Sequence, residues 1–175
     1  MRLQTRRLEL IPCSVEVALA AVGNRDTLES LLGVKVPSDW PAQELRDYLP
    51  TYARQLEEDP ALLGWGVWLI VHREERMAIG DLGFKGHPDQ EGVVEIGYSV
   101  LPVYRRQGYA FEATWALVDW ALRQPGVTRI TAECNPENVP SIRILEKLGM
   151  RRQERDGGLL RWEASRGTFL AKPSA

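Results

Sequence analysis

Hydrophobic and polar residues alternate along some segments of the chain and recur every three or four positions along others. Alternation is typical of a half-buried strand, whereas the longer spacing is typical of a helix with one buried face. On this basis strands are predicted over residues 3–11, 64–72, 77–85, 93–101, 127–134, 150–155 and 159–170, and helices over 15–22, 26–32, 44–58, 106–123 and 139–148. The predicted order of elements is therefore β-α-α-α-β-β-β-α-β-α-β-β.

Residues that begin and end helices and strands support these boundaries. Pro12 stops the first strand because it has no N–H group to donate to a sheet. Ser14 and Asn138 stand where the N-caps of two predicted helices belong. Gly149 follows the last predicted helix, where a left-handed residue commonly closes it. An Asp-Gly-Gly turn at 156–158 is predicted to join the last two strands.

A strand, a helix and a second strand follow one another over residues 93–134. Such a unit brings its two strands together in parallel, while short turns between the other strands produce antiparallel pairs. The sequence therefore predicts an α/β fold with a mixed, twisted sheet of about seven strands and helices on both faces. The length suits a single domain, predicted over 1–171, with a loose tail at 172–175.

Composition narrows the classes of function. The chain has 175 residues and a formal net charge of −2, so bulk charge does not predict a nucleic-acid partner. Its apolar runs are too short for a membrane span, and no secretory signal is predicted. Cys13 and Cys134 suggest no disulfide framework, which favours a cytoplasmic location. His72 and His87 are the two histidines of the sequence and do not pair at helical spacing, so no metal site is predicted.

Residues 105–110, Arg-Arg-Gln-Gly-Tyr-Ala, join the predicted strand 93–101 to the helix that follows. The first N–H groups of a helix have no partner within the helix, and the helix dipole adds partial positive charge there. Gly108 has no Cβ atom to keep a ligand from the backbone, and Arg105 and Arg106 add full charges. The segment therefore predicts a cradle for a phosphate or pyrophosphate, although a plain solvated helix start explains the same residues.

The spacing separates this segment from two other phosphate-binding loops. It lacks the Gly-x-x-x-x-Gly-Lys-Ser/Thr of a P-loop and the Gly-x-Gly-x-x-Gly of a Rossmann site. Its pattern is Arg/Gln-x-x-Gly-x-Gly/Ala, carried by Arg105, Gly108 and Ala110. With Pro102 and Tyr104 before it, the segment resembles the acyl-CoA pyrophosphate loop of the GCN5-related N-acetyltransferases (GNAT). It looks most like the RimJ/RimL-like branch of that superfamily, which acetylates ribosomal-protein N-termini.

A second block of sequence resembles the same family. It reads Asn-Pro-Glu-Asn-Val-Pro-Ser over 135–141 and continues to Glu-Lys-Leu-Gly-Met over 146–150. The two blocks occur in the order that the family shows, and the resemblance covers nearly the whole chain. It implies the fold of that family and acetyl-CoA as the co-substrate.

The resemblance also implies a set of residues that hold acetyl-CoA. In the family, backbone groups of the strand before the loop bind the pantetheine arm and the thioester oxygen, which places Ser99 and Val100 beside the arm. Asn138 is implied as a hydrogen-bond partner of the arm, a role compatible with its position as an N-cap. The pyrophosphate is implied to lie against Arg105, Arg106, Gln107, Gly108, Tyr109 and Ala110.

Acetyl transfer also needs a base for the amine and a proton donor for the thiolate. Glu95 is the candidate base, acting through a water, and an ion pair or a solvated strand edge is the alternative explanation for this residue. Ser141 is the candidate proton donor, because Leu145 stands where many relatives have a tyrosine. A structural role in the first turn of a helix explains Ser141 equally well. Trp40 lies in a loop that lines the acceptor groove in the family, so it is a candidate substrate contact.

The resemblance thus predicts an acetyl-CoA-dependent N-acetyltransferase in which an amine attacks the thioester directly. The predicted acceptor is a primary amine, foremost the N-terminal α-amine of a protein such as a ribosomal protein. Two alternatives remain open: an acetyltransferase for a small amine (polyamine, amino acid or antibiotic) and a non-catalytic acyl-CoA sensor. No nucleic-acid or membrane partner is expected, and the chain is expected to be a monomer or a homodimer.

Overall fold

A computed structural model of the chain describes residues 1–153 and 158–169. Its strands are β1 (Leu3–Gln4), β2 (Leu8–Pro12), β3 (Val67–His72), β4 (Met77–Phe84), β5 (Val93–Val100), β6 (Arg129–Cys134), β7 (Arg151–Arg152) and β8 (Leu160–Ser165). Its helices are α1 (Val15–Gly23), α2 (Arg25–Leu32), α3 (Gln43–Glu58), α4 (Tyr109–Arg123), α5 (Val139–Lys147) and α6 (Arg166–Phe169). Short 3-10 helices occupy Pro60–Leu62 and Pro102–Tyr104.

The strands form one eight-stranded sheet in the order β1-β2-β3-β4-β5-β6-β8-β7. Neighbouring strands are antiparallel except β5 and β6, which are parallel. The mixed α/β sheet is thus confirmed, with eight strands where about seven were predicted. The predicted first strand is divided into β1 and β2 by a turn, in which the Thr5 hydroxyl accepts the N–H of Leu8 at 2.9 Å.

Helices cover both faces of the sheet, as predicted, and each face has its own core. Trp68 and Ile70 of β3 belong to the core under α4 and α5. Leu69 and Val71 of the same strand belong to the core under α1, α2 and α3. This alternation follows from the two-residue period of a strand. Within the described ranges, no helix combines the length and the apolar character that crossing a bilayer requires.

Two element boundaries differ from the prediction. The helix expected from residue 106 begins at Tyr109, because Pro102–Tyr104 forms a 3-10 helix and Arg106 adopts a left-handed φ of +62°. The last predicted strand ends at Ser165, where the short helix α6 follows. The predicted turn at 156–158 falls largely outside the described residues, and the predicted tail at 172–175 falls wholly outside them.

Candidate active site

The parallel strands β5 and β6 separate part-way along their length. They pair only over three positions, Val93 with Arg129, Val94 with Ile130 and Glu95 with Thr131. Beyond Glu95, β5 continues for five residues that pair with β4 but not with β6. A wedge-shaped gap therefore opens inside the sheet towards the carboxyl end of β5, and unpaired backbone groups of β5 line it.

The alternation of backbone groups decides which residues of β5 face this gap. Lys85 N–H donates to the Glu95 carbonyl at 3.0 Å and Leu101 N–H donates to the Ile79 carbonyl at 2.9 Å, so the odd-numbered residues of β5 bond to β4. The backbone groups of Ile96, Tyr98 and Val100 therefore point into the gap. Val100, predicted to bind the pantetheine arm through its backbone, is one of these three residues.

Ser99 was also predicted to hold the pantetheine arm through its backbone. Ser99 is one of the odd-numbered residues of β5 and is paired with Asp81 of β4, so its N–H and C=O point away from the gap. Tyr98, which the sequence did not single out for this role, offers its backbone instead. No local pattern could have made this distinction, because it depends on the register between β4 and β5.

The start of α4 lies directly beyond the gap. Its first backbone bond runs from Glu112 N–H to the Gly108 carbonyl at 3.0 Å. Among the described residues, the N–H groups of Tyr109, Ala110 and Phe111 have no acceptor, as expected for a first helical turn. Gly108 is the N-cap, with φ +84° and an exposed backbone. An anion placed here would meet several free donors and the positive end of the helix dipole.

The three polar residues before Gly108 have different roles in the structure. Arg105 donates through Nε to the Val100 carbonyl at 2.9 Å, so its guanidinium closes the end of the gap. Gln107 donates to the Val103 carbonyl at 3.1 Å and thereby holds the turn. Arg106 is exposed and makes no hydrogen bond within the described part of the chain, so its charge is available to a ligand.

Tyr109 packs inward rather than along the surface of the loop. Its side chain is buried, and its hydroxyl lies 3.1 Å from Nε2 of His72. The Arg7 guanidinium carbon lies 4.4 Å from the centre of its ring, within range of a cation–π contact. The backbone N–H of Tyr109, rather than its ring, is therefore the part that faces a ligand.

A bridge from the N-terminal segment to α4 was not found by sequence reasoning. Glu112 accepts from Arg7 Nε at 2.7 Å, from Arg7 N–H at 2.9 Å and from the Thr5 hydroxyl at 2.6 Å. Arg7 also donates to the Gln107 carbonyl at 2.9 Å. The partners are 100 or more residues apart in sequence, and nothing local to either one predicts the contact. The bridge holds the first turn of α4 against the sheet.

A cavity of about 680 Å³ adjoins the loop through Arg7 and Tyr109. Four arginines line it, together with two glutamates, one buried histidine and four further residues. The Arg6 carbonyl accepts from the Arg73 guanidinium, but the Arg6 side chain has no hydrogen-bond or ion-pair partner within the described ranges, so its guanidinium is free to meet an anion. The positive charge around the loop thus extends beyond the helix start itself.

The second predicted block lies at the start of α5, across the gap from β5. Asn138 caps this helix by accepting from Ser141 N–H at 3.2 Å, as predicted from its position. The Ser141 hydroxyl has no hydrogen-bond partner in the described part of the chain. Tyr98 donates to the Ser141 carbonyl at 3.4 Å, and burial raises the pKa of the Tyr98 phenol to about 12. β5 and α5 are thereby joined across the mouth of the gap.

The opposite face of β4 and β5 carries two carboxylates. Glu95 is held in an ion pair with Lys85 and is half-buried. Asp81 accepts from Trp40 Nε1 at 2.9 Å, and its pKa is raised to about 6, by burial, against the lowering effect of that hydrogen bond. Sequence reasoning missed Asp81, although an aspartate within an otherwise apolar strand was a signal that it carries a role beyond packing.

Trp40 was predicted to contact the acceptor. The structure places its ring in the core, only 2% exposed, with Nε1 directed at Asp81. A direct contact between the indole and a substrate does not fit this burial. Only the tertiary structure brings this pair together, because the two residues are 41 positions apart in sequence.

A cleft of about 150 Å³ lies on this face beside Asp81. Its floor includes three glycines, Gly66, Gly83 and Gly97, and Leu45 of α3 closes one side. A Cβ atom added at Gly97 would meet nothing within 4 Å, so the space above this residue is open. Asp81 and Gly97 therefore border one depression, and the gap between β5 and β6 lies on the far side of β5.

The groups around the gap and the start of α4 fit acetyl-CoA. The unpartnered N–H groups around Gly108 suit a diphosphate, and the gap with free backbone donors and acceptors suits an amide-bearing arm. Within the described ranges, no three histidine, cysteine, aspartate or glutamate side chains come together as a metal site would require.

Comparisons with known proteins agree with this geometry. Residues 7–151 match the family model described as "Acetyltransferase (GNAT) domain". The chain is 34% identical over 147 residues to the uncharacterized N-acetyltransferase YjdG of Bacillus subtilis, a match that covers 84% of this chain and 88% of that protein.

Two solved structures share the fold at lower identity. The ribosomal-protein-S5-alanine acetyltransferase of Vibrio fischeri superposes with a TM-score of 0.67 at 16% identity, covering 99% of this chain and 100% of that one. RimL, a ribosomal L7/L12 alpha-N-protein acetyltransferase in complex with coenzyme A, gives a TM-score of 0.67 at 16% identity. That match covers 94% of this chain and 98% of RimL.

Proposed function

Because the chain belongs to the GNAT acetyltransferase family, we propose that it transfers the acetyl group of acetyl-CoA to the N-terminal α-amine of a protein. The observation that carries this proposal is the gap between β5 and β6, which leads directly to the free N–H groups around Gly108. The acceptor amine is assigned to the cleft beside Asp81, on the face of the sheet to which α3 contributes Leu45.

The chain's own residues supply the contacts that hold the co-substrate. The N–H groups of Gly108 to Phe111 and the charge of Arg106 bind the diphosphate, while the backbones of Val100 and Tyr98 bind the pantetheine arm. Acetyl-CoA contributes the activated acyl group. A backbone N–H directed at the oxyanion that develops on the thioester stabilises the transition state by about 3–4 kcal/mol in comparable acyl-transfer sites.

An α-amine suits this site better than a lysine side chain does. At pH 7 an α-amine with a pKa of about 7.8 costs roughly 1 kcal/mol to deprotonate, whereas a lysine with a pKa of about 10.4 costs nearly 5 kcal/mol. A single carboxylate is sufficient to deprotonate an α-amine. Glu95 was predicted as that base and Ser141 as the donor to the thiolate, and the free hydroxyl of Ser141 near the gap supports the second role.

Three further observations support a protein acceptor in the cytoplasm. Two of the structural neighbours are described as acetyltransferases of ribosomal proteins, which motivates a protein N-terminus as the acceptor. The cleft of about 150 Å³ beside Asp81 offers a place for the acceptor amine. Cys13 and Cys134 are both free, buried thiols, which supports a reducing compartment.

The test is an assay of free thiol released from acetyl-CoA. The purified chain is mixed with acetyl-CoA and with peptides that have free N-termini, and matched peptides with blocked N-termini and an internal lysine serve as controls. Release only with free N-termini is the expected result. Release with spermidine, amino acids or aminoglycosides alone would replace the protein acceptor by a small amine. Binding of coenzyme A without release on any amine would indicate a sensor.

A further inference from the structure

We propose that Asp81 binds the acceptor amine and takes its proton, and that Trp40 positions the Asp81 carboxylate for this task. The inference rests on the proposed acetyl transfer and names the residue that makes the amine nucleophilic. Asp81 would be the catalytic residue and Trp40 a positioning residue that acts through it.

The register between β4 and β5 places Asp81 on the same face as the cleft. Along this face Asp81 lies opposite Ser99, Gly83 lies opposite Gly97, and Lys85 lies next to Glu95. The two glycines leave a depression between one pair of polar side chains and the next. At about 3.3 Å per residue, Asp81 and Lys85 are separated by about 13 Å along β4.

Because Gly83 and Gly97 have no side chains, the nitrogen atom of an acceptor amine can approach β5 from the side of Asp81. A Cβ atom at Gly83 would lie 2.1 Å from the Gly66 carbonyl oxygen, so this position requires glycine. Gly97 has no such neighbour, and its absent side chain leaves the approach to β5 open. An amine in this space has the Asp81 carboxylate on one side and the gap with its unpaired backbone groups beyond β5.

The partners of the two carboxylates on this face distinguish them. Glu95 is already paired with the ammonium group of Lys85. Asp81 has a single hydrogen-bond partner among the described residues, Trp40 Nε1 on its Oδ2, and no ion pair with a described side chain. Its other oxygen is therefore available to the N–H groups of an incoming ammonium, which would supply the cation that Asp81 lacks.

Two further titratable groups, Cys13 and Tyr52, have pKa values that burial raises. Burial, together with the Asp81 charge, raises the pKa of the Cys13 thiol to about 12. Burial raises the pKa of the Tyr52 phenol on α3 above its usual range. The Lys85–Glu95 pair has no net charge when both members are ionised. Burial raises the pKa of Asp81 to about 6, so of these three groups Asp81 is the one whose pKa lies close to neutral pH.

The proposed step conserves atoms and charge. The Asp81 carboxylate accepts one proton from the bound R-NH₃⁺ and becomes a carboxylic acid, which leaves R-NH₂. The nitrogen lone pair attacks the thioester carbonyl carbon, the C–S bond breaks, and the sulfur leaves as a thiolate that takes up a proton. The second amine proton is lost as the amide forms, so acetyl-CoA and the ammonium give the amide, the free thiol and one proton.

The first experiment compares Asp81→Asn with Asp119→Asn, an aspartate on α4 that pairs with Arg123 away from the cleft. Asp81→Asn is expected to lower kcat by about 100-fold or more, the usual loss when a general base is removed. Coenzyme A binding, measured by calorimetry, is expected to remain unchanged, since Asp81 lies outside the gap. Asp119→Asn is expected to match the wild type in both measurements.

The second experiment measures a property that a purely structural role for Trp40 would not change. In the free protein with ¹³C-labelled aspartate side chains, the Asp81 carboxyl is expected to titrate near pH 6. Trp40→Phe removes the N–H donor that stabilises the carboxylate, so this titration is expected to shift to higher pH. The acidic limb of kcat/KM against pH should shift in the same direction.

The outcomes separate this inference from the proposed function. A wild-type chain that releases no thiol with any amine overturns the proposed function. If the wild type is active and Asp81→Asn keeps the wild-type kcat, the role of Asp81 is overturned. A Glu95→Gln variant with a lower kcat than Asp81→Asn would overturn it as well. An Asp81 titration that Trp40→Phe leaves in place overturns the positioning role of Trp40.

Discussion

Gly108 shows how a single residue shapes the start of α4. Its φ of +84° lies in the left-handed region, where residues with a Cβ atom are strained. A Cβ atom there would also lie 3.3 Å from Nη2 of Arg7, the arginine that bridges to α4. The sequence pointed to this glycine because it ends the strand-to-helix junction. Its conformation is a property of the folded turn.

Gly108→Val is expected to weaken coenzyme A binding by at least tenfold, because the side chain covers the free N–H groups and the left-handed backbone becomes strained. The strain is of the order of 1–2 kcal/mol, so a fall of a few degrees in Tm is also expected. Isothermal titration calorimetry measures the first effect and thermal unfolding the second.

Gly23→Ala is the matched control, because Gly23 ends α1 without a left-handed φ and has nothing within 4 Å of an added Cβ. This variant should bind coenzyme A as the wild type does. Unchanged affinity in Gly108→Val would contradict the cradle, whatever the change in Tm.

At the scale of elements, α4 depends on a contact with the opposite end of the chain. Glu112 in its first turn accepts three hydrogen bonds from Thr5 and Arg7. Burial alone would raise the pKa of the Glu112 carboxyl, but the hydrogen bonds from Thr5 and Arg7 and the Arg7 charge outweigh it and hold this pKa below its usual value of 4.5. A carboxyl with a lowered pKa stabilises the fold at neutral pH and loses that contribution in acid.

Glu112→Gln is expected to reduce the free energy of unfolding by about 1–3 kcal/mol at pH 7, because the new amide N–H₂ faces the Arg7 donor. The difference from the wild type should narrow as the pH falls below 4.5, where the wild-type carboxylate is progressively protonated. Urea unfolding at pH 7 and at pH 4 gives both values.

Glu9→Gln provides the comparison for this effect. Glu9 has the same side-chain exposure as Glu112, 19%, but among the described residues it pairs with the half-exposed Arg2 alone. Its loss should change stability by less than about 1 kcal/mol, as is usual for exposed pairs. Equal losses in the two variants would show that Glu112 has no special part in fixing α4.

The elements themselves were largely predictable from local signals. Ser14 and Asn138 cap helices in the structure through the side-chain bonds that their positions predicted. The start of α4 was predicted three residues too early, at residue 106, because Arg106 takes a left-handed conformation that few residues adopt. Such a conformation is imposed by the surrounding turn and leaves no pattern in the sequence.

At the scale of the whole molecule, the sheet is interrupted where the parallel strands separate. β1 to β5 lie on one side of the gap and β6 to β8 on the other, and the two sides are hydrogen-bonded to each other over only three residue pairs. A ligand that occupies the gap adds contacts to both sides at once. Binding to the folded state alone must therefore raise its stability.

Coenzyme A at about 100 times its Kd is expected to stabilise the fold by about 2.7 kcal/mol, or about 5–10 °C in Tm for a chain of this size. NAD has a diphosphate but no pantetheine arm, so at the same concentration it should produce little shift. Differential scanning fluorimetry measures both. A shift from NAD as large as that from coenzyme A would contradict the role of the gap.

The sequence by itself determined the α/β fold, the order of its elements and the family to which it belongs. These depend on periodicity, caps and the two motif blocks, all of which are local along the chain. The loop around Gly108 and the start of α5 at Asn138 were found in the same way. Their residues are consecutive, so the motifs could be recognised from the sequence, although the left-handed conformations of Arg106 and Gly108 could not.

The tertiary structure decided everything that depends on register or on distant partners. It directed the backbone of Ser99 to β4 and that of Tyr98 to the gap, buried Trp40, and joined Arg7 to Glu112. It also brought Asp81, Trp40 and a floor of glycines together beside one cleft. The physical reason is that a side chain's face, its burial and its partners are set by packing between elements, which no single segment encodes.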